Sequence, residues 1–241
     1  MSALLRADLT VAARNWRSQI APIVMALLLL WSTRSQQGAQ HFGGRAAIVA
    51  MVTVYGLITT SLLGYALMAG RDREAGVLRR LRITPAPGWA IIASRMGAQA
   101  VVGLVLAIVI ITIGSRIDDL SLSAVQYGLI LAFSALGIAV FLSIGQALVG
   151  LIRSASTVNA VARAVFVVVI FLGLIGQSGV LGGIWATIAP WTPLGAMMTL
   201  YARVLDLAAW SGRDTESLLA CAGYIVVFAA IGVRWFKWEA R

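Results

Sequence analysis

Residues that could do chemistry are concentrated in one polar segment, residues 70–96, which separates two long apolar stretches. Its first thirteen residues (GRDREAGVLRRLR) hold five arginines, one aspartate and one glutamate. Charges at this density cannot lie in hydrocarbon, so we expect the segment at a membrane face. Carboxylate and guanidinium groups placed there can pair with charges on a partner protein or bind lipid headgroups.

The segment also has the periodicity of a short helix with one docking face. That face holds an acid and three apolar residues, Glu74, Val77, Leu78 and Leu81. The arginines point elsewhere on the helical wheel, and we expect them to rest on lipid headgroups. Thr84-Pro85 ends the helix, because a residue before proline is driven out of the α region. An apolar face around one acid is typical of a helix that docks into a groove of a partner.

The order of these residues resembles the cytoplasmic loop of the ABC-2 family of ABC transporter permeases. The run from Glu74 to Leu78 has the family's Glu-x-Gly-x-Leu pattern, and Thr84-Pro85 has its Thr-Pro pair. By this resemblance the segment is a coupling helix that presses on an ATPase subunit. Six residues would carry that contact: Glu74, Val77, Leu78, Leu81, Thr84 and Pro85. The alternative interpretation is a positively charged loop that serves only membrane topology.

Composition indicates a membrane protein. Of the 241 residues, 60% are hydrophobic and only 12% are charged, whereas a soluble domain carries about 25% charged residues. We therefore expect an all-α polytopic membrane protein. The net charge of +10 could indicate nucleic-acid binding, but the arginines cluster at the ends of apolar stretches, where they set orientation. No nucleic-acid partner is expected.

Catalytic and metal sites have little support in the sequence. His41 is the only histidine and Cys221 the only cysteine, which excludes a bis-histidine metal site and an intrachain disulfide within one chain. An intramembrane Ser/His protease would need His41 in the membrane, but it lies in a predicted outer loop. A proton- or sodium-coupled carrier keeps acidic residues in mid-span, and no Asp or Glu falls inside a predicted span.

Apolar stretches predict six transmembrane helices: residues 18–35, 45–69, 89–113, 124–152, 158–176 and 218–235. Residues 1–17 place apolar and basic residues on opposite sides, as in an interfacial helix, and the coupling loop covers residues 71–88. Residues 180–205 are broken by Pro190 and Pro193, so we expect short re-entrant helices on the outer side. Residues 20–31 could instead be a signal-peptide core, but no small-x-small cleavage site follows them.

Two groups of small or polar residues are candidates for contact with the transported compound. One face of the second predicted span carries Thr53, Gly56, Thr60 and Gly64, which suits either close helix packing or the lining of a route. Ser178-Gly179 resembles the family's Ser-Gly-Val turn, and Pro190 and Pro193 resemble its outer proline segment. By resemblance these four residues form an outer gate.

The distribution of positive charge predicts the orientation. In the six-span layout, fourteen of the nineteen positive residues fall on the face that holds both termini and the coupling loop. Lys and Arg are enriched in cytoplasmic loops, so we expect that face to be cytoplasmic and the protein to lie in the inner or plasma membrane.

The resemblance implies an exporter built from several chains. Two permeases, identical or paralogous, would pair, and each would bind one ATPase subunit. The chain has no GxxxxGK[ST] pattern and its only lysine is Lys237, so ATP and magnesium are expected on the ATPase, with no cofactor or metal in this chain. The expected cargo is a hydrophobic or amphiphilic small molecule such as a drug or antibiotic. The alternative cargo is a lipid or a lipid-linked polysaccharide.

Overall fold

The computed structural model describes residues 2–14, 24, 28, 31, 44–77, 88–117, 119–178, 183–205 and 209–235. In this part of the chain all regular structure is helical. The helices are α1 (Ser2–Arg14), α2 (Arg45–Glu74), α3 (Gly88–Ile117), α4 (Ala124–Leu151), α5 (Ala155–Ser178), α6 (Gly183–Ile188), α7 (Pro193–Leu205) and α8 (Gly212–Arg234). A single 3₁₀ turn, Ala189–Trp191, joins α6 to α7.

Five helices are long and apolar enough to cross a membrane. Their qualifying segments are Arg45–Glu74, Ala90–Ile117, Ala124–Leu151, Ala155–Gly173 and Gly212–Arg234. At 1.5 Å per residue each can cross most or all of a ~30 Å hydrocarbon layer. The first predicted span, residues 18–35, lies outside the described residues apart from three helical positions.

The long helices alternate in direction, which gives the bundle two ends. At one, the Glu74 end, α2 and α4 finish and α5 begins, since Glu74 bonds to the first residue of α5. At the other, the Asp214 end, α4 and α8 begin. Gln126 in the first turn of α4 donates there to the carbonyl of Val204 near the end of α7. The two ends carry different sets of polar contacts.

The segment from α6 to α7 bends beside α8. Pro190 and Pro193 both lack a backbone N–H and fix φ, so the helix breaks there. The Ser217 hydroxyl of α8 donates to the carbonyl of Pro190 at 3.5 Å, and the Tyr224 hydroxyl donates to the carbonyl of Trp191 at 2.9 Å. The bend therefore lies alongside α8 rather than beyond its end.

Helix α7 has 13 residues, about 20 Å, and is too short to cross the layer alone. It is largely buried and contacts α2, α4, α5 and α8.

Glycines permit the closest helix contacts. A Cβ added at Gly150 of α4 would lie 3.0 Å from the carbonyl oxygen of Gly232 in α8. At Gly173 of α5 an added Cβ would overlap the side chain of Leu194 in α7. Small residues bring helix backbones together in this way in membrane proteins.

Helix α2 contains a π segment, Thr59–Gly64, between two α-helical halves. The Gln99 side chain of α3 donates to the Thr60 carbonyl inside this segment, at 2.7 Å. A π turn disturbs the regular i→i−4 bonding of a helix, and such turns frequently occur at functional sites. The amide of Gln99 satisfies one carbonyl at this irregular point.

Two of the long helices that extend beyond their predicted limits do so through charged residues. Helix α2 continues through Glu74, past the predicted end at residue 69, and α8 begins at Gly212, before the predicted start at residue 218. In both places the additional turns carry charged residues that are bonded to other parts of the protein. Partnered charges can extend a helix where unpaired charges would mark its end.

Candidate functional site

Three consecutive charged residues at the end of α2 each bond to a different part of the molecule. We call Asp72, Arg73 and Glu74 the charged triplet. They lie at the start of the predicted coupling loop, residues 71–88, and Glu74 is the first residue of the pattern that resembles a coupling helix. Neighbouring residues on an α-helix point about 100° apart, so three adjacent side chains can reach three different partners.

Asp72 connects α2 to α3. Its carboxylate forms a salt bridge with the guanidinium of Arg95. The neighbouring Ser94 hydroxyl donates to the carboxylate of Asp8 in α1 at 2.6 Å. Residues 94 and 95 therefore connect both the N-terminal helix and the end of α2 to α3.

Arg73 binds the end of α4. Its two terminal nitrogens donate to the carbonyls of Val149 and Ile152, at 2.5 and 2.6 Å. The last carbonyls of a helix have no partner within it and carry partial negative charge, so a guanidinium is well suited to bind them. Only 3% of Arg73 is exposed. The prediction that the arginines of this segment rest on lipid headgroups is therefore wrong for Arg73.

Glu74 binds the beginning of α5. Its carboxylate accepts a hydrogen bond from the backbone N–H of Ala155 at 3.0 Å, one of the helix N-terminal N–H groups that lack an intrahelical acceptor. The residue as a whole remains exposed. Arg73 and Glu74 thus hold the two sides of the short turn, residues 152–154, that joins α4 to α5.

Directly after the triplet the helix ends. The N–H groups of Ala75 and Gly76 bond back to the carbonyls of Arg71 and Arg73, and Gly76 has φ +69°, a conformation that favours glycine. The prediction that Glu74 and Val77 share one face of a continuous helix is therefore wrong, because the left-handed Gly76 lies between them. Leu78, Leu81, Thr84 and Pro85 lie outside the described residues.

A second polar connection crosses the bundle interior between α2, α4 and α8. The Tyr65 hydroxyl of α2 donates to the side-chain oxygen of Gln146 in α4. The amide nitrogen of Gln146 donates in turn to the carbonyl of Gly232 in α8 at 3.3 Å. Both side chains are almost fully buried, so each depends on the other for hydrogen bonding.

The face of α2 with Thr53, Gly56, Thr60 and Gly64 lies against other helices. Both threonines are buried, and their hydroxyls donate to carbonyls of α2 itself, at 2.7 Å for Thr53 and 2.9 Å for Thr60. A Cβ at Gly56 would lie 2.7 Å from Ile110, and one at Gly64 would lie 3.1 Å from Gln99, both in α3. This geometry is that of helix packing.

A buried ion pair lies at the Asp214 end. Asp214 is fully buried, forms a salt bridge with the guanidinium of Arg203 at 2.8 Å, and accepts from the backbone N–H and the hydroxyl of Ser211 at 2.6 and 2.7 Å. Arg203 also donates to the Ser211 hydroxyl at 3.0 Å. The sequence places no acid inside a predicted span, but α8 begins six residues before the predicted start, so Asp214 lies in its first turn, at the end of the helix and not in mid-span. Its charge is paired within the protein.

The predicted outer-gate residues lie in or next to the bend. Pro190 and Pro193 are buried, with Pro193 as the first residue of α7. Ser178 is the last residue of α5, and Gly179 lies outside the described residues. Within the described residues no three His, Cys, Asp or Glu side chains come together as a potential metal site.

Comparison with protein families gives one match over most of the chain. Residues 5–234 match the family described as ABC-2 family transporter protein. The chain belongs to this family. It is accordingly the multi-pass membrane component of an ABC transporter, a transport subunit that is not itself catalytic. The family implies a transporter system with an ATPase partner. A comparison with curated proteins found no match.

Sequence reasoning missed several residues that organise this ABC-2 subunit. It assigned Arg73 to the membrane surface and did not single out Tyr65, Gln146 or Gln99. The available signal was the presence of glutamines inside otherwise apolar stretches, since a buried amide requires hydrogen-bond partners. No comparable signal identified Arg73, because its partners are backbone carbonyls of apolar residues.

Proposed function

We propose that this chain is the permease subunit of an exporter that moves a hydrophobic or amphiphilic compound, such as a drug or antibiotic, out of the cell. The observation that carries the proposal is the charged triplet, which begins the candidate coupling segment and bonds to α3, α4 and α5. A displacement applied just after Glu74 would reach three further helices through these bonds.

In this proposal a separate ATPase subunit binds ATP and magnesium and docks on the segment after Gly76. Val77, Leu78 and Leu81 supply the apolar contact, and Thr84-Pro85 ends the docking helix. A second copy of the chain, or a paralogue, completes the transporter. Glu74 lies at the edge of this surface and contributes its charge to the contact. It is exposed, although its carboxylate also accepts the Ala155 N–H.

The Glu74 end is the cytoplasmic end in this proposal, with both termini on that side. Its support is the fourteen-to-five distribution of positive residues. In a Cys221→Ala background, single cysteines at Ser2, Arg79 and Ala240 should resist an impermeant thiol reagent in whole cells. Cysteines at Gln37, Ser121 and Ser211 should react. Reaction of position 79 from outside would overturn the orientation.

The α6–α7 segment is proposed to be re-entrant and to close the route towards the exterior. Its support is the bend at Pro190 and Pro193 beside α8, together with the burial of α7 among four helices. Non-helical backbone at membrane depth is tolerated only when it is covered by protein. Cysteines between residues 182 and 200 should react from outside or not at all. A gradient that ends in cytoplasmic access would show a true span.

The function itself is tested with the tagged permease and the ATPase that co-purifies with it, reconstituted in vesicles. ATP should drive uptake of an amphiphilic dye into inside-out vesicles, and the dye should stimulate ATP hydrolysis. Movement of a fluorescent short-chain lipid without movement of the dye would favour lipid export instead. Failure of any ATPase to co-purify at equal membrane expression would contradict the proposal.

A further inference from the structure

We infer that Arg73 and Glu74 form a clamp on the turn between α4 and α5, through which movement of the segment after Glu74 is passed to both helices. Arg73 is a positioning residue here, since it acts through the turn and touches no cargo. The inference rests on the proposed function, in which that segment receives a push from the ATPase. It makes the turn between α4 and α5 a second region that moves in response to the ATPase, although this turn is distant in sequence from the docking segment.

The clamp holds the turn by its backbone on both sides. Arg73 donates to two carbonyls where α4 ends, and Glu74 accepts from the N–H where α5 begins. Each contact places a charge next to the helix end of opposite partial charge. Because the accepting and donating groups are backbone atoms of α4 and α5, a displacement of α2 reaches each helix through one side chain instead of through a pair of side chains.

The packing of α2 against α5 supports the same role. A Cβ added at Gly70 would lie 3.3 Å from the Cβ and 3.5 Å from the Cα of Ala155. It would also lie 3.7 Å from the side chain of Val158. The last turns of α2 thus press on the first residues of α5 with no large side chain between them. Tight packing of this kind transmits displacement instead of absorbing it.

Burial distinguishes Arg73 from an arginine that only sets topology. Its exposed fraction of 3% separates the guanidinium from lipid headgroups and water. A buried cation is retained only with good partners, and the carbonyls of Val149 and Ile152 provide them. Arg71, two residues earlier in the same helix, is exposed. It is the matched control, because it has the same charge without the clamp.

The test uses the complex of the permease with its co-purified ATPase, in vesicles and in the Cys221→Ala background. In Arg73→Met the ATPase should remain bound, but dye transported per ATP hydrolysed should fall at least tenfold. Arg73→Lys keeps a cation that can reach one carbonyl at a time, so it should recover part of the loss. Arg71→Met should transport normally. Normal transport by Arg73→Met would overturn the clamp.

A spectroscopic measurement separates transmission from simple destabilisation. Spin labels are placed singly at Ala75, next to the triplet, and at Ser156, in the first turn of α5; both are exposed. A non-hydrolysable ATP analogue should change both spectra in the unchanged protein. In Arg73→Met the label at Ala75 should still respond, and the label at Ser156 should not.

The other outcomes are also decisive. If both labels respond in Arg73→Met, the arginine is structural only and the clamp is wrong. If the label at Ala75 fails to respond even without the substitution, the coupling segment receives no push, and the proposed function fails first. If Arg73→Met does not reach the membrane, Arg73→Lys decides alone. A normal Ser156 response at normal transport in that variant would refute the clamp.

Discussion

The Glu74 end and the Asp214 end both bury charge, but they use it differently. At the Glu74 end the partners of Arg73 and Glu74 are 76 to 81 residues away in sequence. At the Asp214 end Ser211 lies 8 residues from Arg203 and 3 from Asp214. The charged contacts at the Asp214 end are local in sequence and fix the connection between α7 and α8. Those at the Glu74 end are long-range and fix the positions of α4 and α5 relative to α2.

The partners also differ in chemical kind. The ion pair of Asp214 joins two side chains, so each can be replaced only if the other changes with it. Arg73 and Glu74 bond to backbone groups, which every residue except proline supplies in full. The Glu74 end therefore tolerates substitution of its partners, but not loss of the Arg73 donors or of the Glu74 acceptor. At the Asp214 end, loss of the arginine can be compensated by loss of the acid.

The largest expected effect is at the Asp214 end. Asp214→Ala leaves the guanidinium of Arg203 without its carboxylate in a mostly buried position. It also removes the acceptor of the Ser211 backbone N–H at the start of α8. Breaking one partner of a buried pair costs about 3–5 kcal/mol. Equilibrium unfolding in mixed detergent micelles should show this loss, whereas Glu216→Ala, at an exposed position of the same helix, should change little.

A double variant sharpens the contrast between the ends. Arg203→Met with Asp214→Leu removes both charges, and replacement of a buried pair by apolar residues is often nearly neutral. The double variant should recover more than half of the stability lost in Asp214→Ala. No second substitution at positions 149 or 152 should rescue Arg73→Met. A rescue there would contradict the distinction between backbone and side-chain partners.

The hydrogen-bonded connection of Tyr65, Gln146 and Gly232 in the bundle interior should have the next largest effect on stability. Gln146→Leu deprives the Tyr65 hydroxyl of its acceptor and the Gly232 carbonyl of a donor. A buried polar group left unsatisfied costs about 1–3 kcal/mol. Unfolding in mixed micelles should report a loss in that range, and Tyr65→Phe in addition should restore part of it. If the double variant is no better than the single one, the two side chains are not coupled.

Glu74 should show a smaller effect on stability that separates its two roles. Glu74→Ala removes the acceptor for Ala155, and loss of such an N-terminal bond costs about 0.5–2 kcal/mol. Glu74→Gln keeps an oxygen acceptor but removes the charge. If Glu74 also pairs with a cation on the ATPase, Glu74→Gln should be stable yet bind the ATPase more weakly in pull-down measurements. If Glu74→Gln binds the ATPase as tightly as the unchanged protein, Glu74 acts only in the clamp.

Asp72 should matter least. Its salt bridge with Arg95 is partly exposed, with 25% of the aspartate side chain and 11% of the arginine side chain accessible. Neither residue is fully buried, whereas Asp214 is, and an asparagine keeps an oxygen that can accept from Arg95, so Asp72→Asn should change stability by less than the other substitutions. Raising the salt concentration should weaken this contact further, with little effect on the buried Arg73 contacts. A loss as large as that of Asp214→Ala would contradict the ranking.

Much of the helical architecture was predictable because hydrocarbon forces backbone groups into helices, and long apolar stretches are easily recognised. The bend at Pro190 and Pro193 was predictable from the chemistry of proline alone. The role of Arg73 was not predictable, because nothing about Val149 or Ile152 marks their carbonyls as its partners. The end of α2 was placed too early for a related reason: charge was taken to end the span, although the triplet is bonded within the protein.

The π segment of α2, Thr59–Gly64, is equivalent to an α-helix that has accepted one extra residue, since π bonds run to the fifth residue instead of the fourth. The π segment accommodates the extra residue, so the side chains before and after it keep the directions that they would have on a regular α-helix. Loss of one residue here would restore a regular α-helix and leave Arg73 facing the same turn. Elsewhere in α2 the same deletion would rotate the charged triplet by about 100° relative to the first half of the helix. In evolutionary terms, these six positions are where α2 can change length without losing its hold on α4 and α5.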